Sequence, residues 1–376
     1  MSENVSENKV DGLTEFKSWA TLTLAAVFVF GFAVGGLLLP DNEVSSAERR
    51  PLAQMPELSI KTVLNGQFMG DFDAYSLDQF PLRDDFRGIK AAVAAALGRQ
   101  DNNGIYAAGE HLAALEYPYD AESVRYAAGR MQYVYRQYLA AGGGKVYLSI
   151  VPDKGYFLAG ESGRPALDYQ ALAADMQEGL PFAEYIDIFG ELTAADYYYT
   201  DAHWRQENLL PVAEKLAEGL GVKLSAEYEC REAEQPFYGV YAGQYVLPHG
   251  ADTLRWLTNE QLAAMTVYDY ESQGYLPVYD ESKLDGDDPY EMYLGGPKSL
   301  LVLENPAAES DRELIVFRDS FGSSLVPLLA EAYAKITLVD IRYVSPAFLG
   351  SFMQFDGQDV LFLYSTGVLN NSITIK

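Results

Sequence analysis

The pattern of apolar and polar positions divides the chain into one long uncharged run and a longer region of alternating short elements. From Trp19 to Leu39, 21 successive residues carry no charge. A helix over them, at 1.5 Å per residue, spans the ~30 Å of a bilayer core. The pattern predicts a transmembrane anchor over 19–39 behind a short tail, 1–18. A secretory signal peptide is the alternative, but its apolar stretch is usually ~7–15 residues, and only weak small-residue cleavage candidates stand around Ala33 to Gly36. Lys9 and Lys17 before the run balance Arg49 and Arg50 after it, so charge does not orient the segment.

Residues 40–60 hold Pro40, Pro51 and Pro56 among polar residues and read as a stalk. Phe86, Ile89, Val93 and Leu97 recur at helical spacing and predict an amphipathic helix over 78–98, so 40–105 is expected to be stalk and lead-in helix. The turn Asp101-Asn102-Asn103-Gly104, followed by Ile105-Tyr106, opens a hairpin. From about Ala121 the rhythm becomes α/β. Helices are expected over 121–140, 168–178, 206–219 and 322–334. Short β-rich runs lie at 145–151, 185–188, 299–303, 314–317, 336–340 and 360–364. One domain is expected over 106–376. Residues 266–293, with eight carboxylates, one lysine and six tyrosines, break the rhythm and read as an acidic surface insertion. The spacing of Asp285, Asp287 and Asp288 matches no calcium loop.

Charge narrows the function classes. Acidic side chains number 54 against 27 basic ones, a net charge of −27, which repels phosphate backbones and removes nucleic acid as a partner. The single cysteine, Cys230, closes no intramolecular disulfide and is expected to be a buried structural residue. With 28 tyrosines, many rings carry a hydroxyl. That suits a sugar ligand and equally an ordinary Tyr-rich surface.

The segment from Leu314 to Gly322 is a strand running into a helix, with Ser320 at the bend and Gly322 two residues on. In α/β folds such bends lie at the carboxyl edge of the sheet, where ligands bind and helix N-terminal amides favour an oxyanion. Asp319 or Ser320 could equally serve only as a helix cap. Of the three histidines, His111 falls in the hairpin and His249 in a Pro-His-Gly turn, neither with an acid two residues before it. His203 follows Asp201 by two residues, and that carboxylate can accept the Nδ1 hydrogen and leave Nε2 as a base.

Asp201-Ala202-His203-Trp204 resembles the motif that names the DHHW family, and Arg318-Asp319-Ser320-Phe321-Gly322-Ser323-Ser324 resembles that family's C-terminal serine block. Both are similar to blocks of the alginate O-acetyltransferase proteins, a permuted SGNH-hydrolase-like branch in which Asp-x-His precedes the serine. Segments 50–56, 78–83 and Pro152-Asp153-Lys154 extend the resemblance over most of the chain from about residue 48. Ala202 stands where the name motif has its first histidine, and Arg205 to Asn208 departs from the family's small-residue helix start.

The resemblance implies a three-layer, SGNH-hydrolase-like (permuted) α/β domain behind the anchor, on the extracytoplasmic face. It implies a triad of Ser320, His203 and Asp201 that acetylates a cell-surface or exported polysaccharide beside a multi-pass membrane O-acyltransferase. An acetyl-esterase with the same triad and a non-catalytic polysaccharide-assembly protein are the alternatives. No metal or bound cofactor is expected, the acetyl group coming from a donor or membrane acyl carrier. The Ser320, Phe321 and Gly322 amides, with Thr366, Gly367, Arg342 and Tyr343, are candidates for binding the oxyanion or the substrate, and ordinary loop residues are the alternative reading.

Overall fold

A computed structural model describes residues 3–376, with side chains from residue 14 onward, so the first two residues of the expected tail lie outside the described residues. Contacts divide the chain into two units, Met1–Leu97 and Gly98–Lys376.

In the first unit, helix α1 (Glu3–Leu38) contains the one stretch among the described residues that is long and apolar enough to cross a membrane, Thr14–Leu38. The expected stalk is more ordered than its composition suggests. Val44–Ser45 pairs with Arg50–Pro51, and Arg50 binds the Asp78 carboxylate through both terminal nitrogens at 2.8 and 2.6 Å. The Arg50 guanidinium holds Asp78 down at about 2, against the desolvation that works the other way. Helix α2 (Gln67–Asp78) was not anticipated, and helix α3 (Arg83–Ala96) occupies most of the predicted 78–98.

The second unit opens with three short antiparallel strands, Asp101–Asn102, Ile105–Ala108 and His111–Ala114, as the hairpin signal predicts. Its centre is one eight-stranded sheet. The strands are β1 (Val146–Val151), β2 (Glu184–Tyr185), β3 (Thr266–Asp269), β4 (Gly274–Leu276), β5 (Leu300–Glu304), β6 (Glu313–Arg318), β7 (Lys335–Val339) and β8 (Asp359–Ser365). They stand in the order β4-β3-β5-β7-β6-β8-β1-β2. From β7 to β2 the pairing is parallel, and β5, β3 and β4 extend it antiparallel.

The parallel strands are continuous apolar runs because both of their faces are covered. Val316 and Leu363 enter one core with helices α6 (Leu210–Leu220) and α7 (Phe321–Leu329). Phe317 and Phe362 enter the other with α4 (Ala121–Val134) and α5 (Tyr169–Gly179). These are the three layers expected from the sequence.

Two expectations need correction. The segment 266–293 is not a surface excursion: it starts as β3 and β4 of the main sheet and ends with Tyr290, Met292 and Tyr293 buried. Its carboxylates masked the strand pattern, since Val267 and Asp269 face the interior while Thr266 and Tyr268 alternate outward. Cys230 is exposed, on a two-stranded ribbon pairing Glu229–Glu232 with Arg255–Thr258.

Candidate active site

The register of β6, β7, β8 and β1 brings the residues after Arg318, Val339, Ser365 and Val151 to one carboxyl edge. Ser320 lies there, at the bend into α7. Its hydroxyl caps nothing: the residue is in the αR region and makes no side-chain cap bond. The neighbouring Asp319, fully buried, accepts from Phe321 N at 3.1 Å and from Ser365 N at 2.7 Å, pinning the bend to the end of β8. Gly322 is required by packing, because a Cβ there would sit 2.8 Å from Arg318 Cβ.

Free of capping, Ser320 Oγ meets His203 Nε2 at 2.7 Å. His203 Nδ1 lies 2.5 Å from Asp201 Oδ1, which also accepts the His203 backbone N–H at 3.0 Å. The three residues are therefore contiguous although 117 positions separate His203 from Ser320. The other Asp201 oxygen accepts Val240 N at 2.8 Å, and Gly239 packs directly on Asp201, where a Cβ would meet the Asp201 Cβ at 2.2 Å. One face of the imidazole is covered by the Tyr290 ring, 3.9 Å away and nearly parallel at 11°. The Tyr290 hydroxyl is tied to Ser324 Oγ at 2.9 Å, and Trp204 Nε1 donates to the same oxygen at 2.9 Å.

Beneath the Asp-x-His loop sits a second buried carboxylate. Asp252 accepts from Tyr199 N (2.7 Å), Thr200 N (2.8 Å), Thr200 Oγ1 (2.6 Å) and Arg205 Nη2 (2.8 Å). The amide of Gly239 donates to Thr200 Oγ1 at 2.8 Å, so Asp252 and Asp201 share one scaffold. On the other side, Lys154 Nζ donates to the carbonyls of Tyr198 (2.9 Å) and Tyr199 (3.2 Å) and lies 5.0 Å from the Tyr241 ring centroid. Burial pushes this ammonium down to about 7, and the charges of Asp201 and Asp252 oppose the shift.

The remaining sequence candidates fall differently. Gly322 N–H donates to Asp319 O at 3.1 Å, while the Ser320 N–H has no hydrogen-bond partner among the described residues. Thr366 Oγ1 donates to Asp153 Oδ2 at 2.7 Å, and a Cβ on Gly367 would lie 3.4 Å from Glu116 Oε1, which ties both positions to a neighbouring acid pair. Arg342 is committed to Asp340, Nε to Oδ1 at 2.9 Å and Nη2 to Oδ2 at 2.7 Å, instead of reaching toward Ser320. Tyr343 is half exposed beneath the Arg342 guanidinium, 5.5 Å from its ring centroid. Sequence reasoning passed over Tyr290, Gly239, Asp252 and Lys154. Only Lys154 carried a signal, as part of Pro152-Asp153-Lys154. Among the described residues no cluster of His, Cys, Asp and Glu is arranged to hold a metal.

A three-layer α/β unit with a serine at a strand-to-helix bend, and Asp-x-His on a loop earlier in the chain, is an SGNH-hydrolase-like fold. Solved structures with similar folds agree with the resemblance seen in the sequence. A DHHW family protein from Eubacterium siraeum DSM 15702 aligns with a TM-score of 0.57 at 21% identity, covering 73% of this chain and 95% of its own. PatB1 from Bacillus cereus, solved with a sulfonyl adduct, aligns with a TM-score of 0.57 at 18% identity, covering 70% of this chain and 95% of its own. The O-acetyltransferase domain of Pseudomonas putida AlgJ aligns at a lower TM-score of 0.45 and 13% identity, covering 71% and 92%. No protein-family model matches the sequence, and no curated protein does.

Proposed function

We propose that the protein is a membrane-anchored serine O-acetyltransferase acting on a cell-surface or exported polysaccharide, with Ser320 as nucleophile, His203 as base and Asp201 as its orienting acid. The observation that carries this reading is the unbroken line from Asp201 Oδ1 through both ring nitrogens of His203 to Ser320 Oγ. His203 Nε2 takes the Ser320 proton as Oγ attacks the acetyl carbonyl of a donor. The Ser320 N–H faces the oxyanion, and the imidazolium returns the proton to the donor's leaving group. An acetyl-serine results. A glycan hydroxyl then attacks that ester, gives its proton to His203 Nε2 and leaves as the acetylated product, while Ser320 Oγ regains its proton.

The acetyl group and the glycan rest on the sequence resemblance of 201–204 and 318–324. PatB1, of similar fold, was solved with a sulfonyl adduct, and a sulfonylating probe is a direct way to ask whether Ser320 is nucleophilic here. In this reading α1 is a single-pass anchor, the second unit faces outward, and a multi-pass membrane O-acyltransferase supplies the acetyl group.

The test is turnover of a small acetyl ester by the full-length protein in detergent, with and without a polysaccharide acceptor, followed by mass analysis of the glycan. Acetylated glycan is expected. Free acetate alone, unchanged by any acceptor, makes the protein an esterase, and turnover undiminished in folded Ser320→Ala overturns the triad. Protease added to intact spheroplasts should degrade the second unit; protection until the membrane is opened overturns the orientation.

A further inference from the structure

At the edge of the sheet opposite Ser320, where β6, β7 and β8 begin, lies a groove of about 920 Å³. Val302, Thr337 and Ile315 lie on its floor, and the register continues their row beyond the groove to Tyr268 and Tyr275. Tyr275 of β4 pairs with Tyr268 of β3, Tyr268 with Val302 of β5, Val302 with Thr337 of β7, and Thr337 with Ile315 of β6. Directly opposed residues project to the same face, so these five side chains form one row across five strands, roughly 19 Å long at ~4.8 Å per strand. Exposure falls along the row, from 70% at Tyr275 to 6% at Thr337 and 2% at Ile315. The outer end of the row is a platform of rings, of which Tyr270 and Phe352 line the groove and Tyr268 and Tyr275 adjoin it. Tyr268 stands 5.3 Å from Tyr275 and 5.1 Å from Tyr270, and Tyr270 stands 6.3 Å from the half-exposed Phe352.

The walls decide what can lie there. Both cations are already paired, Arg312 with Asp359 at 2.8 Å and Lys335 with Glu313 at 2.7 Å. Glu304, Asp311 and Asp356 have no ion-pair partner among the described residues. An apolar peptide laid across the floor would strip water from these carboxylates without replacing it. A polyanion would meet like charge, reinforced by the −27 of the whole chain. A chain of sugar rings suits every surface present, since its apolar C–H faces stack on the tyrosines and its hydroxyls and any ammonium groups reach the carboxylates.

We propose that this groove binds a polysaccharide strand built from neutral or amino sugars, as a holding site remote from the reacting serine. The binding itself goes beyond the acetyl-transfer reading and is tested apart from it, while the use given to it here rests on that reading. A polymer bound here stays tethered while its acetylated positions change, so the groove raises the local concentration of acceptor without touching the chemistry.

Binding is measured by calorimetry on the full-length protein in detergent with three oligomers of equal length: a glucosamine oligomer, a neutral β-glucan and a polyuronate. The glucosamine oligomer or the neutral glucan should bind and the polyuronate should not. Tyr275→Ala with Phe352→Ala should weaken that binding at least tenfold, Tyr275→Trp should retain it, and Glu304→Gln should weaken the glucosamine oligomer more than the glucan. Small-ester turnover should be unchanged in all of them, and Ser320→Ala should bind the oligomers like the wild type. Absence of binding to both permitted sugars, tighter binding of the polyuronate, or equal binding in the folded Tyr275→Ala/Phe352→Ala variant overturns the proposal. Self-association that Tyr275→Ala abolishes would assign the face to a second copy instead, and also overturns it.

Discussion

The two edges of the main sheet are formed by the same parallel strands but treat charge in opposite ways. At the carboxyl edge and on the loop that meets it, Asp201, Asp252, Asp319 and Asp340 are all nearly or completely buried, and each is filled with donors: backbone amides, an imidazole, or an arginine. At the other edge the carboxylates of Glu304, Asp311 and Asp356 stay in contact with solvent. A carboxylate taken out of water is tolerable only when its oxygens are matched one for one, so the first edge is rigid by necessity. The second edge needs no such matching. Precision in this molecule is therefore local, and its cost is carried by the residues around Asp201 and Asp252.

The comparison breaks first at the line from Asp201 through His203 to Ser320. Ser320→Ala and His203→Ala should each lower acetyl-ester turnover by about 10³-fold or more, equivalent to about 4 kcal/mol in the barrier, and the double variant should be no worse than either. Thermal stability of Ser320→Ala should be unchanged, since the hydroxyl caps no helix. A fall of several degrees would show that the serine carries the bend after all.

Next in size is the hidden carboxylate. Asp252→Ala leaves the Arg205 guanidinium, two amides and the Thr200 hydroxyl without their acceptor, and should destabilise the second unit by about 3 kcal/mol in chemical denaturation. Gly239→Ala should follow at about 2 kcal/mol, because the new methyl must displace Asp201. Its signature is selective: turnover should fall with the carboxylate's displacement even where the protein remains folded. Full activity in Gly239→Ala would mean that Asp201 tolerates movement, contrary to a rigid edge.

Glu116 offers a titration. Burial, aided by the charge of Asp153, lifts its carboxyl to about 7. Between its ordinary value of 4.5 and 7 the folded state therefore holds a proton that the unfolded chain has released. The stabilisation is complete below about pH 4.5 and lost as pH rises through 7. Glu116→Gln keeps the neutral form at every pH, so melting curves should show the variant gaining on the wild type by about 1 kcal/mol or more between pH 5 and 8. Parallel curves would place the charge of Glu116 in solvent. The smallest effects belong to the other edge, where Glu304→Gln and Asp311→Asn should each change stability by less than ~0.5 kcal/mol.

What the sequence made legible follows from the range of each interaction. The parallel strands were readable because burial on both faces leaves an unbroken apolar run, and Leu314 to Phe317 or Val360 to Tyr364 has few other readings. His203 stood out because histidine is scarce and its acid lies two residues away, and Ser320 because strand, bend and helix are all local. Tyr290, Gly239 and Asp252 left no trace, since each meets Thr200, Asp201 or His203 only after folding closes a gap of 38 or more residues. Helix α2 escaped because its sequence, Gln67–Asp78, mixes Gly70 with scattered aromatics and lacks a clean apolar stripe. Strands β3 and β4 were obscured by acidic neighbours, although the alternation of Val267 and Asp269 with Tyr268 held the signal of one buried face.

The bend at Ser320 is held by its neighbours, through the two bonds of Asp319 and the close approach that Gly322 permits, and the serine hydroxyl makes no cap bond there. Position 320 is thereby released from architectural duty. Lineages descending from such a chain can exchange the side chain at this position, oxygen for sulfur, or discard its hydroxyl, without first inventing a new backbone. The hydroxyl at 320 is a removable fitting on a permanent frame, which is the condition under which one fold gives rise to both enzymes and silent relatives.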